Sequence, residues 1–366
     1  MVFNSIFFIF CFLPVFILIY YLVPGKLRNL LLFLGSLIFY AWGEPVYVIL
    51  MLFSSIFNYY MGTELERLYY DDRKQKINLI FSIIINLAVL VFFKYYGFLL
   101  NTIGGIIGIH IPHPELSLPI GLSFYTFRNL SYLFDIYLSK VSAQRNFLTF
   151  SVYSTMFPYT SAGPIVRYTD IETQLKQRTI NISKFGIGAE LFVKGLAKKV
   201  LLADNLSVLY SSICGHPQMS VFTSWLGILA YTMQLYFDFS GYSDMAIGLG
   251  KMLGFDFNKN FDYPYISTSV SEFWRRWHIS LGSWFRDYIY IPLGGNRVST
   301  LKHIRNILVV WALTGLWHGA SWNFVLWGVY YGLFLLLEKF VLQKYLKKIP
   351  SWLCTVYTML VVMIGW

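Results

Sequence analysis

Long apolar runs restrict this chain to a narrow set of folds. One extends from Ser5 to Leu22, another begins near Trp352, and similar runs recur between them. Charged residues make up 13% of the sequence, about half the roughly 25% found in soluble domains. That is too little polar material to cover a soluble protein of 366 residues. We therefore predict an all-α fold, a polytopic transmembrane helical bundle with interfacial or re-entrant helices and about 8 to 11 spans.

The two ends of the chain bear on its organisation. The run from Ser5 to Leu22 has no basic segment before it and no small-residue cleavage site after it, so we interpret it as a retained first span rather than a secretory signal. The last run stops at Trp366 without a polar tail, and we expect the chain to be truncated there. Because the sequence contains no internal repeat and no low-complexity linker, we predict a single membrane domain over residues 1–366.

The formal net charge of +11 follows a topological pattern. Lys and Arg cluster in short segments, such as Arg67 to Lys76, which alternate with segments that lack both, His110 to Glu115 and Ser211 to Ser220. Basic loops of membrane proteins stay on the cytoplasmic side. The alternation therefore predicts an extracytoplasmic N-terminus and cytoplasmic basic loops. It accounts for most of the positive charge, and we expect no nucleic-acid partner.

Ionisable groups in apolar runs are energetically costly, so they mark candidate functional positions. Asp238 and Asp244 lie at the end of a long apolar run, in the segment YFDFSGYSD. One hypothesis is a broken helix whose freed backbone groups line a polar cavity. The other is the end of a span, where the two carboxylates cap the next helix from the interface. The residues alone leave both hypotheses open.

A second polar segment extends from Ser271 to Asn306 and is rich in Arg and Trp. If its first part is one helix, it has an aromatic face and a polar face. The aromatic face comprises Trp274, His278, Leu281 and Phe285, and the opposite side comprises Arg275, Arg276, Ser283, Arg286 and Asp287. His278 is then turned towards protein or lipid rather than water. The alternative is an amphipathic helix on the membrane surface with an incidental histidine.

The third segment with a candidate functional position is LTGLWHGASWN, which is uncharged except for His318. Gly315 and Gly319 have the spacing that lets another helix approach closely. A neutral imidazole at this depth can accept a proton near physiological pH. The alternative is a hydrogen-bonded histidine that joins two helices. An acid–base histidine fits chemistry performed across a membrane, and it also fits a proton-coupled transporter.

Several motifs in the sequence are long and occur in a specific order. They are LPIGLSFYTF (Leu118–Phe127), AGPIVRY (Ala162–Tyr168), YFDFSGYSD (Tyr236–Asp244), SEFWRRWHISL (Ser271–Leu281), WFRDY (Trp284–Tyr288), IPLGGNR (Ile291–Arg297) and GLWHGA (Gly315–Ala320). Together they resemble the membrane-bound O-acyltransferase family. Within it they look most like the bacterial branch that contains the alginate and peptidoglycan O-acetyltransferase membrane subunits.

The resemblance implies an enzyme that moves an acetyl group from a cytoplasmic donor, with acetyl-CoA as the expected donor, to an extracytoplasmic polysaccharide. It implies a place among the lipids of the bacterial cytoplasmic (inner) membrane. It also implies a secreted or anchored partner, a serine-hydrolase-like acetyltransferase that completes the transfer. No bound cofactor and no metal are expected. By the same resemblance, His318 corresponds to the family's near-invariant intramembrane histidine, and His278 to its second hallmark polar position.

Acyl transfer from a thioester needs a base for the attacking hydroxyl and donors for the developing oxyanion. We assign His318 as the general base, and His278 as the group that orients the acceptor or stabilises the oxyanion. The candidate supporting residues are Trp317, Asn323, Asp238 and Asp244. The candidate ligands for the donor's phosphates are Arg275, Arg276 and Arg286. The other interpretation of these arginines is attachment to lipid headgroups.

Two other functions are compatible with these residues. A relative on the same fold would transfer D-alanine to teichoic acid, but the segment Ile291–Arg297 favours the acetyl branch. A proton-coupled transporter or a glycan flippase would use His318 together with Asp238 and Asp244. The sequence lacks the paired half-repeats that are common in transporters, which counts against this alternative.

Overall fold

The computed structural model describes residues 1–114, 116–216 and 218–366. Glu115 and Pro217, which belong to the two loops predicted to be extracytoplasmic, lie outside the described residues. The fold is 75% helical, and the described residues form no β-strand. The prediction of an all-α fold is therefore confirmed.

The helices follow one another closely along the chain. The α-helices are α1 (Leu13–Leu22), α2 (Arg28–Ala41), α3 (Val48–Arg67), α4 (Asp72–Ile107), α5 (Leu122–Tyr137), α6 (Phe147–Thr155), α7 (Phe157–Thr160), α8 (Tyr168–Lys176), α9 (Ile182–Ala197), α10 (Asp204–Cys214), α11 (Val221–Met252), α12 (Val270–Arg276), α13 (Ile279–Phe285), α14 (Thr300–His318), α15 (Trp322–Leu337), α16 (Gln343–Leu346) and α17 (Ser351–Gly365). Segments of π-helix are Phe8–Phe12, Lys198–Ala203, Arg286–Tyr290 and Glu338–Leu342, and segments of 3-10 helix are Gly25–Leu27 and Pro264–Ile266.

Several of these helices have the character of membrane-embedded segments. Among the described residues, three are long and apolar enough to cross a membrane: Val48–Arg67, Asp72–Ile107 and Trp322–Leu346. The segments Phe8–Leu22 and Ser351–Gly365 are apolar but shorter. The fold is thus of the membrane type that the composition predicts. The total of about 8 to 11 spans stays a prediction.

The chain divides into two compact units. Unit 1 consists of Met1–Phe185 with Gly250–Phe257, and unit 2 consists of Gly186–Leu249 with Asn258–Trp366. The single membrane domain over residues 1–366 stays a prediction. Both histidines of the proposed site belong to unit 2.

Unit 1 keeps polar side chains inside its helix bundle. The side-chain amides of Asn58 in α3 and Asn86 in α4 exchange two hydrogen bonds, at 3.0 and 2.8 Å. Arg128 of α5 is fully buried and donates to the backbone carbonyls of Tyr159 at 2.7 Å and Ser154 at 2.9 Å. Lipid offers no hydrogen-bond partner, so buried polar groups of a membrane protein must find partners within the protein. These contacts therefore hold the helices of unit 1 together.

Helix α11 in unit 2 tests the two hypotheses for Asp238 and Asp244. The helix continues unbroken from Val221 to Met252, so both carboxylates lie inside it. Asp238 pairs with Lys199 at 2.8 Å. Asp244 pairs with Lys198 at 2.6 Å. Both hypotheses are wrong, because the helix is not broken here and neither aspartate stands before a following helix. The two lysines of the neighbouring π-helical segment compensate the charges instead.

The helices α14 and α15 of unit 2 form a close hairpin. A Cβ atom added to Gly328 of α15 would lie 3.1 Å from the Cα atom of Gly315 in α14 and against the backbone oxygen of Trp311. The prediction that Gly315 permits a close helix approach is therefore confirmed. Gly319 follows the end of α14 and faces the ring of Phe324. Backbone atoms cannot move aside as a flexible side chain can, so the hairpin requires its two facing glycines.

We expect Gly328→Ala to destabilise unit 2, because the added methyl group meets backbone atoms of α14. Overpacking of this kind costs about 1–3 kcal/mol. The control is Gly186→Ala in α9, where an added Cβ atom has no heavy atom within 4 Å. The measurement is the midpoint of thermal unfolding of the detergent-solubilised protein. Equal midpoints for the two variants would contradict the close packing of α14 on α15.

Candidate active site

The polar segment that begins at Ser271 is not one helix. Helix α12 ends at Arg276 and α13 begins at Ile279, and His278 between them has φ 45° and ψ 55°. This left-handed conformation is uncommon for residues other than glycine and costs about 1–3 kcal/mol. The predicted continuous amphipathic helix is therefore wrong. The apolar spacing continues across the short break, so helical periodicity could not reveal it.

His278 lies in an aromatic environment and is only 2% exposed. The centroid of its ring is 4.7 Å from that of Phe239 and 5.8 Å from that of Trp317. It lies outside the three candidate membrane spans. Burial holds the pKa of His278 well below its ordinary value, and the nearby His318 lowers it further. His278 is therefore a neutral imidazole at physiological pH.

Asn260 stabilises the break between α12 and α13. Its side-chain oxygen lies 3.2 Å from Nδ1 of His278 and accepts hydrogen bonds from the backbone N–H of Ser280 at 3.1 Å and from its hydroxyl at 2.9 Å. Its backbone carbonyl accepts a hydrogen bond from the N–H of Ile279 at 2.9 Å. Each such bond contributes about 1 kcal/mol, so together they offset the cost of the left-handed residue.

A buried carboxylate fixes the other end of α12. Glu338 is 3% exposed and accepts hydrogen bonds from the backbone N–H groups of Val270 at 2.6 Å and Ser271 at 2.9 Å. The hydroxyl of Ser271 also donates to it at 2.9 Å. The first N–H groups of a helix have no partner within the helix and favour a negative charge nearby. Glu338 thus positions the helix that leads to His278.

His318 is the last residue of α14. The C-terminal end of a helix carries partial negative charge, which stabilises a protonated imidazole. The ring of His318 packs against Trp317 and Trp327, with centroids at 5.0 and 4.7 Å. Since the ring of Trp317 also packs against His278, it contacts both histidines. The supporting role of Trp317 stays a prediction.

The two histidines line one cavity of about 850 Å³ in unit 2. Trp274 is also part of the wall, and its indole N–H has no acceptor among the described residues. Basic side chains in the wall are Arg275, Arg286, Lys339 and Lys347. A cavity of this size, with a few polar groups among aromatic and apolar side chains, is typical of a ligand-binding site. The structure thus brings His278 and His318 together, as the predicted site requires.

Five of the predicted site residues, Trp317 among them, are not among the described residues that line this cavity. Arg276 is paired with the carboxylate of Glu272 on its own helix, at 2.8 Å. Asn323 is exposed at the start of α15. Asp238 and Asp244 are occupied by their lysine partners within unit 2.

Two residues that position the site, Asn260 and Glu338, were not predicted from the sequence. Asn260 lies 18 residues before His278 and shares no helix with it, so no periodic pattern links the two. Glu338 did leave a signal, because it is an acidic residue within the apolar segment Trp322–Leu346. Both owe their role to contacts with residues that are distant in the sequence.

The profile of the membrane-bound O-acyltransferase (MBOAT) family matches residues 46–364, a range that contains both histidines. The chain belongs to this family. It is therefore a membrane-bound O-acyltransferase, and the cavity that joins the two histidines is its candidate active site. The resemblance found in the sequence motifs is confirmed over almost the whole chain.

Three relatives of this O-acyltransferase illustrate the branch. The chain is 43% identical to "Probable alginate O-acetylase AlgI" of Pseudomonas aeruginosa, over 100% of this chain and 71% of the relative. It is 34% identical to the peptidoglycan O-acetyltransferase of Helicobacter pylori, over 97% of this chain and 75% of the relative. It is 29% identical to the teichoic acid D-alanyltransferase of Bacillus subtilis, over 65% of this chain and 63% of the relative.

We expect Glu338→Ala to destabilise the acyltransferase by about 1–3 kcal/mol, because the N–H groups at the start of α12 lose their acceptor while they remain buried. The measurement is the free energy of unfolding in micelles. Glu190→Ala is the control, since Glu190 is exposed and pairs with Lys194 on the same helix. We expect no measurable change for this control. A loss for Glu338→Ala no larger than that of the control would contradict the anchoring role of Glu338.

Proposed function

We propose that this acyltransferase passes an acetyl group from acetyl-CoA, bound on the cytoplasmic side, across the membrane for O-acetylation of an exported or cell-envelope polysaccharide. The cavity that is lined by both His278 and His318 is the observation that carries the proposal. The names of the two relatives with the higher identities, an alginate O-acetylase and a peptidoglycan O-acetyltransferase, support acetyl as the group and polysaccharide as the acceptor.

The proposed chemistry is acyl transfer from a thioester to a hydroxyl, with His318 as the general base. His318 removes the proton of the hydroxyl, the hydroxyl oxygen forms a bond to the thioester carbonyl carbon, and the carbon–sulfur bond breaks. The proton then passes from the imidazolium to the thiolate, which leaves as a thiol. The position of His318 at the C-terminal end of α14 supports this role, because the helix end stabilises the transient positive charge.

The basic wall of the cavity is the proposed place for the phosphates of the donor. Arg275 and Arg286 line the cavity, as do Lys339 and Lys347, which were not among the predicted ligands. Guanidinium and ammonium groups bind phosphate well. Arg276 is left out of this proposal, since it is not among the described residues that line the cavity. Binding of lipid headgroups remains the alternative use of these side chains.

The location of the enzyme and its partner are also proposals. The alternation of basic and basic-poor loops supports an extracytoplasmic N-terminus in a bacterial cytoplasmic membrane. A serine-hydrolase-like acetyltransferase outside the membrane would complete the transfer to the polysaccharide. D-alanyl transfer to teichoic acid is the second candidate, supported by a relative of lower identity and smaller overlap. None of the three relatives named above is described as a transporter.

We expect His318→Ala to lower polysaccharide O-acetylation by at least about 100-fold, because a positioned general base contributes about 10²–10⁴ to the rate. The measurement is the acetyl content of the isolated glycan from cells that produce the enzyme with its native partners, at equal levels of each variant. His216→Ala is the matched control, since His216 lies exposed in a loop. We expect it to retain the wild-type acetyl content.

The same glycan samples distinguish the two acyl groups. Mild base releases both esters, and mass spectrometry of the released acids separates acetate from D-alanine. A smaller amount of released acetate from His318→Ala than from the wild type supports the proposal. Unchanged acetate in His318→Ala would contradict the role of His318, and D-alanine as the released acid would favour the second candidate.

A further inference from the structure

The contacts of Asn260 determine which nitrogen of His278 carries the proton. A side-chain amide can be placed in two orientations that differ in which end is the oxygen. Here the backbone N–H of Ser280 points to one end of the amide at 3.1 Å, and a backbone N–H can only donate. The end that receives it is therefore the oxygen, as it is for the hydroxyl of Ser280 at 2.9 Å.

The same oxygen lies 3.2 Å from Nδ1 of His278. An amide oxygen can only accept, so Nδ1 must carry the hydrogen of this contact. A neutral imidazole has one N–H, which leaves Nε2 with a free lone pair. The buried Nε2 atom has no hydrogen-bond partner among the described residues, and His278 is one of the residues that line the cavity. His278 can thus accept a hydrogen bond through Nε2, but it cannot donate one there.

We propose that Asn260 is a positioning residue that holds His278 as the Nδ1–H tautomer, so that Nε2 accepts a hydrogen bond from the hydroxyl of the acyl acceptor. The inference rests on the proposed function, which supplies that hydroxyl. It decides between the two roles considered for His278. An oxyanion needs a donor, and neutral Nε2 has no hydrogen to donate, so His278 orients the acceptor.

Ile279 and Ser280 show why Asn260 suits this task. The backbone carbonyl of Asn260 accepts from Ile279, and its side chain accepts from Ser280, so the amide cannot rotate away without losing several hydrogen bonds. His278 has a left-handed backbone, and its Nδ1 lies 3.2 Å from this oxygen. A residue that fixes the tautomer of a histidine acts through the histidine. Asn260 itself is not among the described residues that line the cavity.

Nitrogen NMR tests the tautomer without any need for activity. The full chain, labelled with ¹⁵N at its 6 histidines and placed in lipid bilayers, gives signals that distinguish protonated from unprotonated ring nitrogens. The signals of His278 are identified by their absence from the spectrum of the His278→Gln variant. We expect Nδ1 protonated and Nε2 unprotonated. The reverse pattern in the wild type would overturn the proposal.

Variants of Asn260 link the tautomer of His278 to catalysis. Asn260→Ala removes the acceptor, so we expect His278 to populate both tautomers. We also expect O-acetylation to fall about tenfold, equal to about 1.4 kcal/mol. Asn260→Asp keeps an acceptor at the same place, so we expect it to keep the Nδ1–H tautomer and more activity than Asn260→Ala. Ser280→Ala leaves the backbone contact to Asn260 intact, and we expect the wild-type tautomer.

Asn58→Ala in unit 1 is the control for the loss of a fully buried asparagine, and we expect the wild-type tautomer there. Full acetylation in Asn260→Ala, in cells where His318→Ala abolishes it, would overturn the role of Asn260 and leave the proposed function intact. Unchanged acetylation in His318→Ala would instead contradict the proposed function, and the tautomer in the NMR spectrum would still be decided independently.

Discussion

Asn260 and His278 are joined by a hydrogen bond across a break in the helical chain, and the rest of the site depends on that break. A histidine in the left-handed region costs about 1–3 kcal/mol, and the hydrogen bonds accepted by Asn260 contribute about 1 kcal/mol each. The balance favours a sharp turn of the chain between α12 and α13. A continuous helix would carry the histidine ring on a regular face, without the contact that orients its nitrogens.

The short helix α12 before this turn explains why unit 2 needs the buried carboxylate of Glu338. Helix α12 has 7 residues, too few to be stable in isolation, and its first N–H groups would be buried without partners. Glu338 supplies the acceptors from a helical segment 68 residues further along the chain. The segment α12 to α13 is thus held at one end by Glu338 and at the break by Asn260. Both contacts are internal because buried polar groups without a hydrogen-bond partner are energetically costly.

Sequence patterns gave correct predictions for the properties that depend on residue types and spacing along the chain. Composition and apolar runs predicted an all-α membrane fold, and the motifs around His278 and His318 identified the family. The same patterns led to wrong conclusions for Asp238 and Asp244, whose charges suggested a cavity or a helix cap. Those aspartates face lysines one helical segment away, and such a pairing depends on how two helices lie against each other. Arg276 was likewise predicted as a phosphate ligand together with Arg275, but it forms an ion pair with Glu272.

The sequence by itself predicted the membrane-type helical fold, the family and the two histidines that line the cavity. These follow from residue types, their spacing along one chain and motifs of fixed order. Only the tertiary structure decided that the histidines line one cavity, that Trp317 contacts both, and that the lone pair of His278 is at Nε2. The tautomer is set by a single amide oxygen 3.2 Å from the ring, and no pattern in the sequence encodes a distance between residues on separate elements.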